Sequence, residues 1–181
     1  MKRLLIVFLL LGYFSSVAHA AEPVEQKYAG VFYGVVDSGD GDVENGNLGL
    51  VIGGHVESGL GVEFFYSDTI DEDETDTVSG TLRFESQVWG LLGTYRVGGK
   101  YYGLLKGGYT FLDLRAKVTG VDSEKWKEEG LSYGIGFGVE VGKNGAIELN
   151  YLVLPEVNDR IGGTEFDFDN ELISLGYNWN F

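Results

Sequence analysis

The chain has 181 residues, with 29 glycines, two prolines, no cysteine and a formal net charge of −15. Without cysteine it forms neither disulfides nor thiolate metal sites, and so acidic a chain is a poor partner for nucleic acid. Aromatic residues make up 14% beside all that glycine, and there is no helical periodicity, which excludes a helical protein and predicts an all-β fold.

Residues 1–20, MKRLLIVFLLLGYFSSVAHA, begin with Lys2 and Arg3, continue with an apolar run over 4–11 and end in Ala18-His19-Ala20. This is the layout of a secretory signal peptide, with cleavage expected near Ala21 or Glu22. The run is shorter than the ~20 residues that a bilayer-spanning helix needs. Residues 21–181 then form one domain. Removing the leader's +2 from −15 leaves −17.

Eight segments of alternating residues follow, at 28–36, 47–56, 60–68, 80–97, 101–112, 131–142, 146–155 and 171–181. Period-two alternation predicts β-strands. Short connections at Glu57-Ser58-Gly59, Gly98-Gly99-Lys100 and Lys143-Asn144-Gly145 carry tight-turn residues. Long polar loops are expected at 37–46, 69–79, 113–130 and 156–170. Short and long connections alternate, so the strands form an up-and-down meander with all short turns at one end.

The two faces differ in chemistry. Leu60, Val62, Phe64 and Tyr66 oppose Gly61, Glu63, Phe65 and Ser67 in the third segment. In the sixth, Leu131, Tyr133, Ile135, Phe137, Val139 and Val141 oppose Ser132, four glycines (134, 136, 138 and 142) and Glu140. Ile147, Leu149, Tyr151 and Val153 oppose Ala146, Glu148, Asn150 and Leu152 in the seventh. The last puts Ile173, Leu175, Tyr177, Trp179 and Phe181 on one side. The small, polar face lacks the bulk to fill a soluble barrel. Turned inside out, the pattern is that of an eight-stranded antiparallel transmembrane β-barrel, apolar toward lipid. Ten residues at ~3.3 Å, tilted by roughly 40°, rise about 25 Å, which matches the apolar band. In lipid an open sheet edge is too costly, so the last strand pairs with the first. Tyr28, Tyr95, Tyr101, Tyr102, Tyr177 and Trp179 lie near the short-turn end, where an aromatic girdle is expected.

From the Y-x-G-x-x-Y-G stretch over residues 28–34 to the terminal YNWNF, this pattern resembles the small eight-stranded outer-membrane barrels of Gram-negative bacteria, the OmpA, OmpX and Opa-like type. The resemblance implies that Tyr177, Trp179 and Phe181 serve as the signal read by the barrel-assembly machinery. It also implies an outer-membrane monomer with the short turns periplasmic and the long loops outside, in contact with lipid and lipopolysaccharide. No peptidoglycan-binding domain is expected beyond the barrel.

Five charges fall on the inward parity, Glu63, Arg96, Lys106, Glu140 and Glu148. In a narrow lumen they must pair, and the pairing makes either an ion-pair plug or a gate for a narrow pore. An enzyme acting on lipid A would need a histidine base beside a nucleophile, and residues 21–181 offer only His55, near Ser58 and Glu57 at the short-turn end. It is read as a girdle or turn residue and no catalytic residue is assigned. Asp37, Asp40, Asp42 and Glu44 crowd one loop, and Asp68, Asp71, Glu72, Asp73, Glu74 and Asp76 another. Asp71, Asp73 and Asp76 are weak divalent-cation candidates, but the spacing matches no Ca²⁺ loop and no cofactor is expected. Trp126, between Lys125 and Lys127, either rests on the barrel rim or anchors a surface contact. The expected role is structural and interactional, in envelope integrity and surface contact through the acidic loops; a gated pore is the alternative, and lipid A modification a more distant one.

Overall fold

Alternating sequence over nearly the whole length gives a chain of strands, with no helix among the described residues. The computed structural model describes residues 25–38, 43–71, 73–77, 80–118, 124–161 and 164–181. The leader, its expected cleavage point at Ala21 or Glu22, and Asp40, Asp42 and Glu72 lie outside them, as do the side chains of Glu44, Asp73, Glu74 and Asp76. The strands are β1 (Gln26–Ser38), β2 (Val43–His55), β3 (Leu60–Asp71), β4 (Asp73–Thr77), β5 (Gly80–Gly98), β6 (Tyr101–Val118), β7 (Glu124–Val141), β8 (Gly145–Val153), β9 (Val157–Ile161), β10 (Thr164–Phe168) and β11 (Asn170–Asn180).

Eight of these are the staves of a closed antiparallel barrel, running β1, β2, β3, β5, β6, β7, β8, β11 and back to β1. The closing seam pairs Tyr28 with Asn180 and continues to Ser38 opposite Asn170. Beyond it the Phe181 N–H donates to the Lys27 carbonyl at 2.9 Å. Backbone groups that lipid cannot satisfy are thereby satisfied by a neighbouring strand.

The expected long loops prove to be largely strand. β6 and β7 stay paired out to Ala116 opposite Glu124, β4 extends the edge of β5, and β9 and β10 make a separate hairpin. In β6 the alternation itself persists, with Leu112 and Leu114 turned to the interior cluster, but Asp113 and Arg115 take the alternate positions that apolar residues hold lower down. β8 ends at Val153 instead of reaching 155, since Pro155 has no N–H for the ladder.

The outward parity is as expected. Leu131, Tyr133, Leu149, Leu175 and Trp179 are all exposed, forming a belt that lipid covers. The glycines explain how the inside is filled. Tyr28 lies opposite Gly53 and Phe32 opposite Gly49 on β2, Tyr102 opposite Gly138 on β7 and Asn150 opposite Gly136. Each bulky side chain lies flat across its glycine; a Cβ at Gly53 would stand 2.6 Å from the Tyr28 hydroxyl. Glycine on one strand is therefore the space for the side chain on the next.

Two expectations about the interior need correction. The inner face does build a core, because β1, β5, β6 and β11 send bulk inward: Phe32, Val36, Val88, Leu92, Leu112 and Leu172 join Phe65, Leu152 and Leu154 in one buried cluster. Tyr28 and Tyr102 are not girdle residues. They share parity with Phe32 and Lys106 and are 3% and 1% exposed, which leaves Tyr95, Tyr101, Tyr177 and Trp179 on the lipid side.

Candidate functional site: a lumen filled in two layers

The interior has an ionic layer toward the short turns and an apolar layer toward the long hairpins. Lys106 on β6 reaches across to Glu63 on β3, its Nζ donating to Oε1 at 2.8 Å and Oε2 at 2.9 Å. The Tyr28 hydroxyl adds a third donor to Glu63 at 2.8 Å. Both members of this pair are buried. A buried carboxylate with three donors, two of them from an ammonium, meets the condition that makes such a charge tolerable.

Arg96 organises a second pair nearer the turns. Its Nη2 donates to Glu140 at 2.6 Å and to the Gly99 carbonyl at 3.0 Å, and Nη1 donates to the Gln26 side chain. The guanidinium stands 3.8 Å over the centre of the Tyr102 ring, a cation–π contact. Tyr102 in turn donates its hydroxyl to Glu148 at 2.7 Å. The five inward charges thus form two ion pairs and one tyrosine-held carboxylate.

His55 does not lie at a girdle or turn surface. It faces inward, its ring stacked on Tyr28 with centroids 5.6 Å apart and Nε2 3.0 Å from the Thr94 hydroxyl. The Ser58 hydroxyl accepts from the Leu60 N–H instead. The hydroxyl beside this histidine is therefore that of Thr94, not that of Ser58.

The apolar cluster lies above these charges, and Leu114 and Trp126 pack against it from the hairpin side. Trp126 is therefore half-buried in the mouth of the barrel, anchored to its interior. Beside this apolar layer sits a polar ring in which Asn47 bonds the Ser86 carbonyl at 3.2 Å, Ser86 Oγ bonds Asn47 at 3.0 Å and Thr69 bonds the Ser86 carbonyl at 2.9 Å. Between the ionic and apolar layers a cavity of about 30 Å³ is lined by Glu63, Lys106, Glu148, Asn150 and Asn178 on one side and Phe32, Phe65 and Leu92 on the other. It has room for about two waters.

Sequence parity identified the five charges but missed Tyr28, Tyr102 and Gln26, their partners. The signal was available: Tyr102 stands four residues before Lys106, and Tyr28 four before Phe32, both even separations that put them on one face. Asp71 is exposed at the end of β3. Among the described residues no cluster of three or more His, Asp or Glu side chains gathers as a metal site.

The profile described as outer membrane protein beta-barrel domain matches residues 6–181. No curated protein matches the chain significantly. Among solved structures, Neisserial surface protein A superposes with a TM-score of 0.64 at 14% identity, covering 87% of this chain and 97% of its own. The N-terminal β-barrel domain of Pseudomonas aeruginosa OprF gives 0.58 at 11% identity, covering 87% and 99%. Ail, the attachment invasion locus protein of Yersinia pestis, solved with the heparin analogue sucrose octasulfate, gives 0.57 at 14% identity, covering 87% and 97%. At these identities the structural likeness speaks for the fold alone. With closure, outward apolar belt and profile in agreement, the chain belongs to the outer-membrane β-barrel family, among its small eight-stranded members.

Proposed function

We propose that the protein is a sealed structural barrel of the outer membrane that presents its protruding hairpins as a contact surface, with the short turns periplasmic. The observation that carries this is the filling of the lumen by two layers of buried side chains, ionic below and apolar above, with a small cavity between them. A side-chain-filled eight-stranded interior is a packed core and not a passage. What is left to act is the surface: the wide lipid-facing wall, and the β1–β2, β6–β7 and β9–β10 hairpins beyond it. The acidic residues at Asp37, Asp68 and Asp71 give that end its negative charge and keep it solvated. Such a barrel strengthens the envelope and offers its loops for adhesion. Its biogenesis would run through the assembly machinery, with Tyr177, Trp179 and Phe181 as the signal, and it works as a monomer without catalysis.

A gated narrow pore is the second reading, and one observation favours it: Lys106, its partner Glu63 and the tyrosine-held Glu148 line the same cavity. The ammonium has two carboxylates within that chamber. Single-channel recording in a planar bilayer tests the two, with heat-dependent gel mobility verifying that the barrel is folded. A silent bilayer is expected. Discrete, voltage-dependent steps from folded protein sink the sealed barrel in favour of the pore.

A further inference from the structure

We propose that the cavity between the ionic and apolar layers binds a monovalent alkali cation, held on its β8–β11 wall by Glu148, Asn150, Ser174 and Asn178. The charges of the lumen do not balance. Three carboxylates, Glu63, Glu140 and Glu148, turn inward against two cations: Lys106 is matched by Glu63 at 2.8 Å and Arg96 by Glu140 at 2.6 Å. Glu148 is left over. It is 5% exposed, and the hydroxyl that Tyr102 donates to it at 2.7 Å brings no charge. His55 is engaged elsewhere, with Thr94 and Tyr28. A buried carboxylate without a counter-charge is costly, and one excess negative charge is balanced by an ion that carries one positive charge.

Further oxygen donors gather around this carboxylate. Asn150 follows Glu148 by two residues on β8, so the two side chains share the inward face. On β11, Ser174 stands opposite Asn150 and Gly176 opposite Glu148, with Asn178 at the next inward position. All of these line the cavity, and Gly176 puts bare backbone on its wall between Ser174 and Asn178. Ser174 is 7% exposed and Asn178 3%. Among the described residues neither side chain has a hydrogen-bond partner, and the Oδ1 of Asn150 is buried without one. Polar groups buried in a protein are normally satisfied, so unpartnered ones around a single cavity mark the place of a ligand.

The chemistry of that ligand follows from the donors. Carboxylate, amide and hydroxyl oxygens are those that hard cations choose. A divalent ion would overshoot the balance by one charge. Water alone would satisfy the amides and the hydroxyl but leave the charge of Glu148 unmatched. The volume of about 30 Å³ suits roughly one small ion with one water. Lys106 lines the same cavity, yet Glu63 holds its ammonium toward β3, on the opposite side of the barrel from β8. The site rests on the charge and packing of the interior, and holds whether the lumen is sealed or conducts.

The test is unfolding by urea of the barrel in lipid vesicles, in NaCl, KCl or choline chloride at equal ionic strength, choline being too large for the cavity. The unfolding constant is expected to be about tenfold smaller in NaCl or KCl than in choline chloride, as for an ion at roughly ten times its dissociation constant. E148Q, which keeps an acceptor for Tyr102, should lose this difference, and N150A should reduce it. E57Q, which removes a carboxylate from an exposed turn, should keep it. Heat-dependent gel mobility verifies that each variant is folded. Should E148Q not fold, the unaltered chain decides: folded protein in micelles should broaden the sodium NMR line, and added K⁺, but not choline, should sharpen it again. Equal unfolding constants in the three salts overturn the proposal, and so does a cation dependence that E148Q retains or a sodium line that folded protein leaves sharp.

Discussion

Lys106 and Glu63 sit on strands that are not neighbours, yet their side chains meet at 2.8 Å in the middle of the lumen. The pair is a strut across the barrel: it ties β6 to β3 past the intervening β5, and Tyr28 ties the same carboxylate to β1.

Removing one end of that strut leaves a buried charge alone. K106M is expected to lower unfolding stability by about 3–5 kcal/mol, read as a shift in the urea midpoint of the barrel in lipid vesicles. Adding E63Q should restore most of the loss, because the orphaned carboxylate is gone. A double variant as unstable as the single one would mean that the strut contributes by packing and not by charge.

The apolar layer, not the ion pair, is expected to hold back ions. K106M alone should stay silent in a planar bilayer. Truncating Phe65 and Leu92 together to alanine in that background should produce discrete openings, at a stability cost of a few kcal/mol for each truncation. Openings from K106M alone would assign the seal to the ionic layer.

Glycines on the two faces should respond in opposite ways. A Cβ at Gly138 would fall within the Tyr102 ring, whereas one at Gly107 finds only the Ser132 carbonyl, at 3.9 Å. G138A should displace Tyr102 from Arg96 and Glu148 and cost about 1–3 kcal/mol as an overpacked site. G107A, facing lipid, should stay within about 0.5 kcal/mol of the parent. Heat-dependent mobility across a temperature series compares them on one gel.

The end of β11 tests assembly apart from stability. Phe181 and Trp179 are exposed to the lipid side, so F181S removes little packing. Refolded in vesicles it should match the parent midpoint within about 1 kcal/mol, while its yield in the outer membrane of cells falls severalfold. An unchanged cellular yield would show that the terminal aromatic carries no signal.

The lipid-facing half of the molecule was legible in the sequence because lipid imposes one chemistry on every outward position: Leu60, Ile135, Leu149 and Leu175 could be placed by parity alone. The interior was less legible since a lumen accepts any combination that fills space and satisfies its polar atoms. Phe32 and Glu63 both point inward, yet belong to layers of opposite character. Tyr101 and Tyr102 show the same difficulty within two residues. Position near a turn suggested a girdle for both, and only the count to Lys106 separates the buried ring from the exposed one. The extended β6–β7 hairpin was missed because Asp113, Arg115, Lys125 and Lys127 take the alternate positions that apolar residues hold lower down, so the stretch reads as a polar loop although its ladder continues.

The glycines that make room for neighbouring side chains bear finally on how the two ends of the chain find each other. At the closing seam Gly30 faces Asn178 and Phe32 faces Gly176, small against large and then large against small. A slip of two residues would keep every side chain on its proper face and preserve the ladder, so alternation alone would not forbid it. It would, however, bring Phe32 against Asn178 or Ser174 with no hollow to receive the ring. The seam therefore has a key cut into it, and the first and last strands can recognise their register by shape before any ion pair in the lumen has formed.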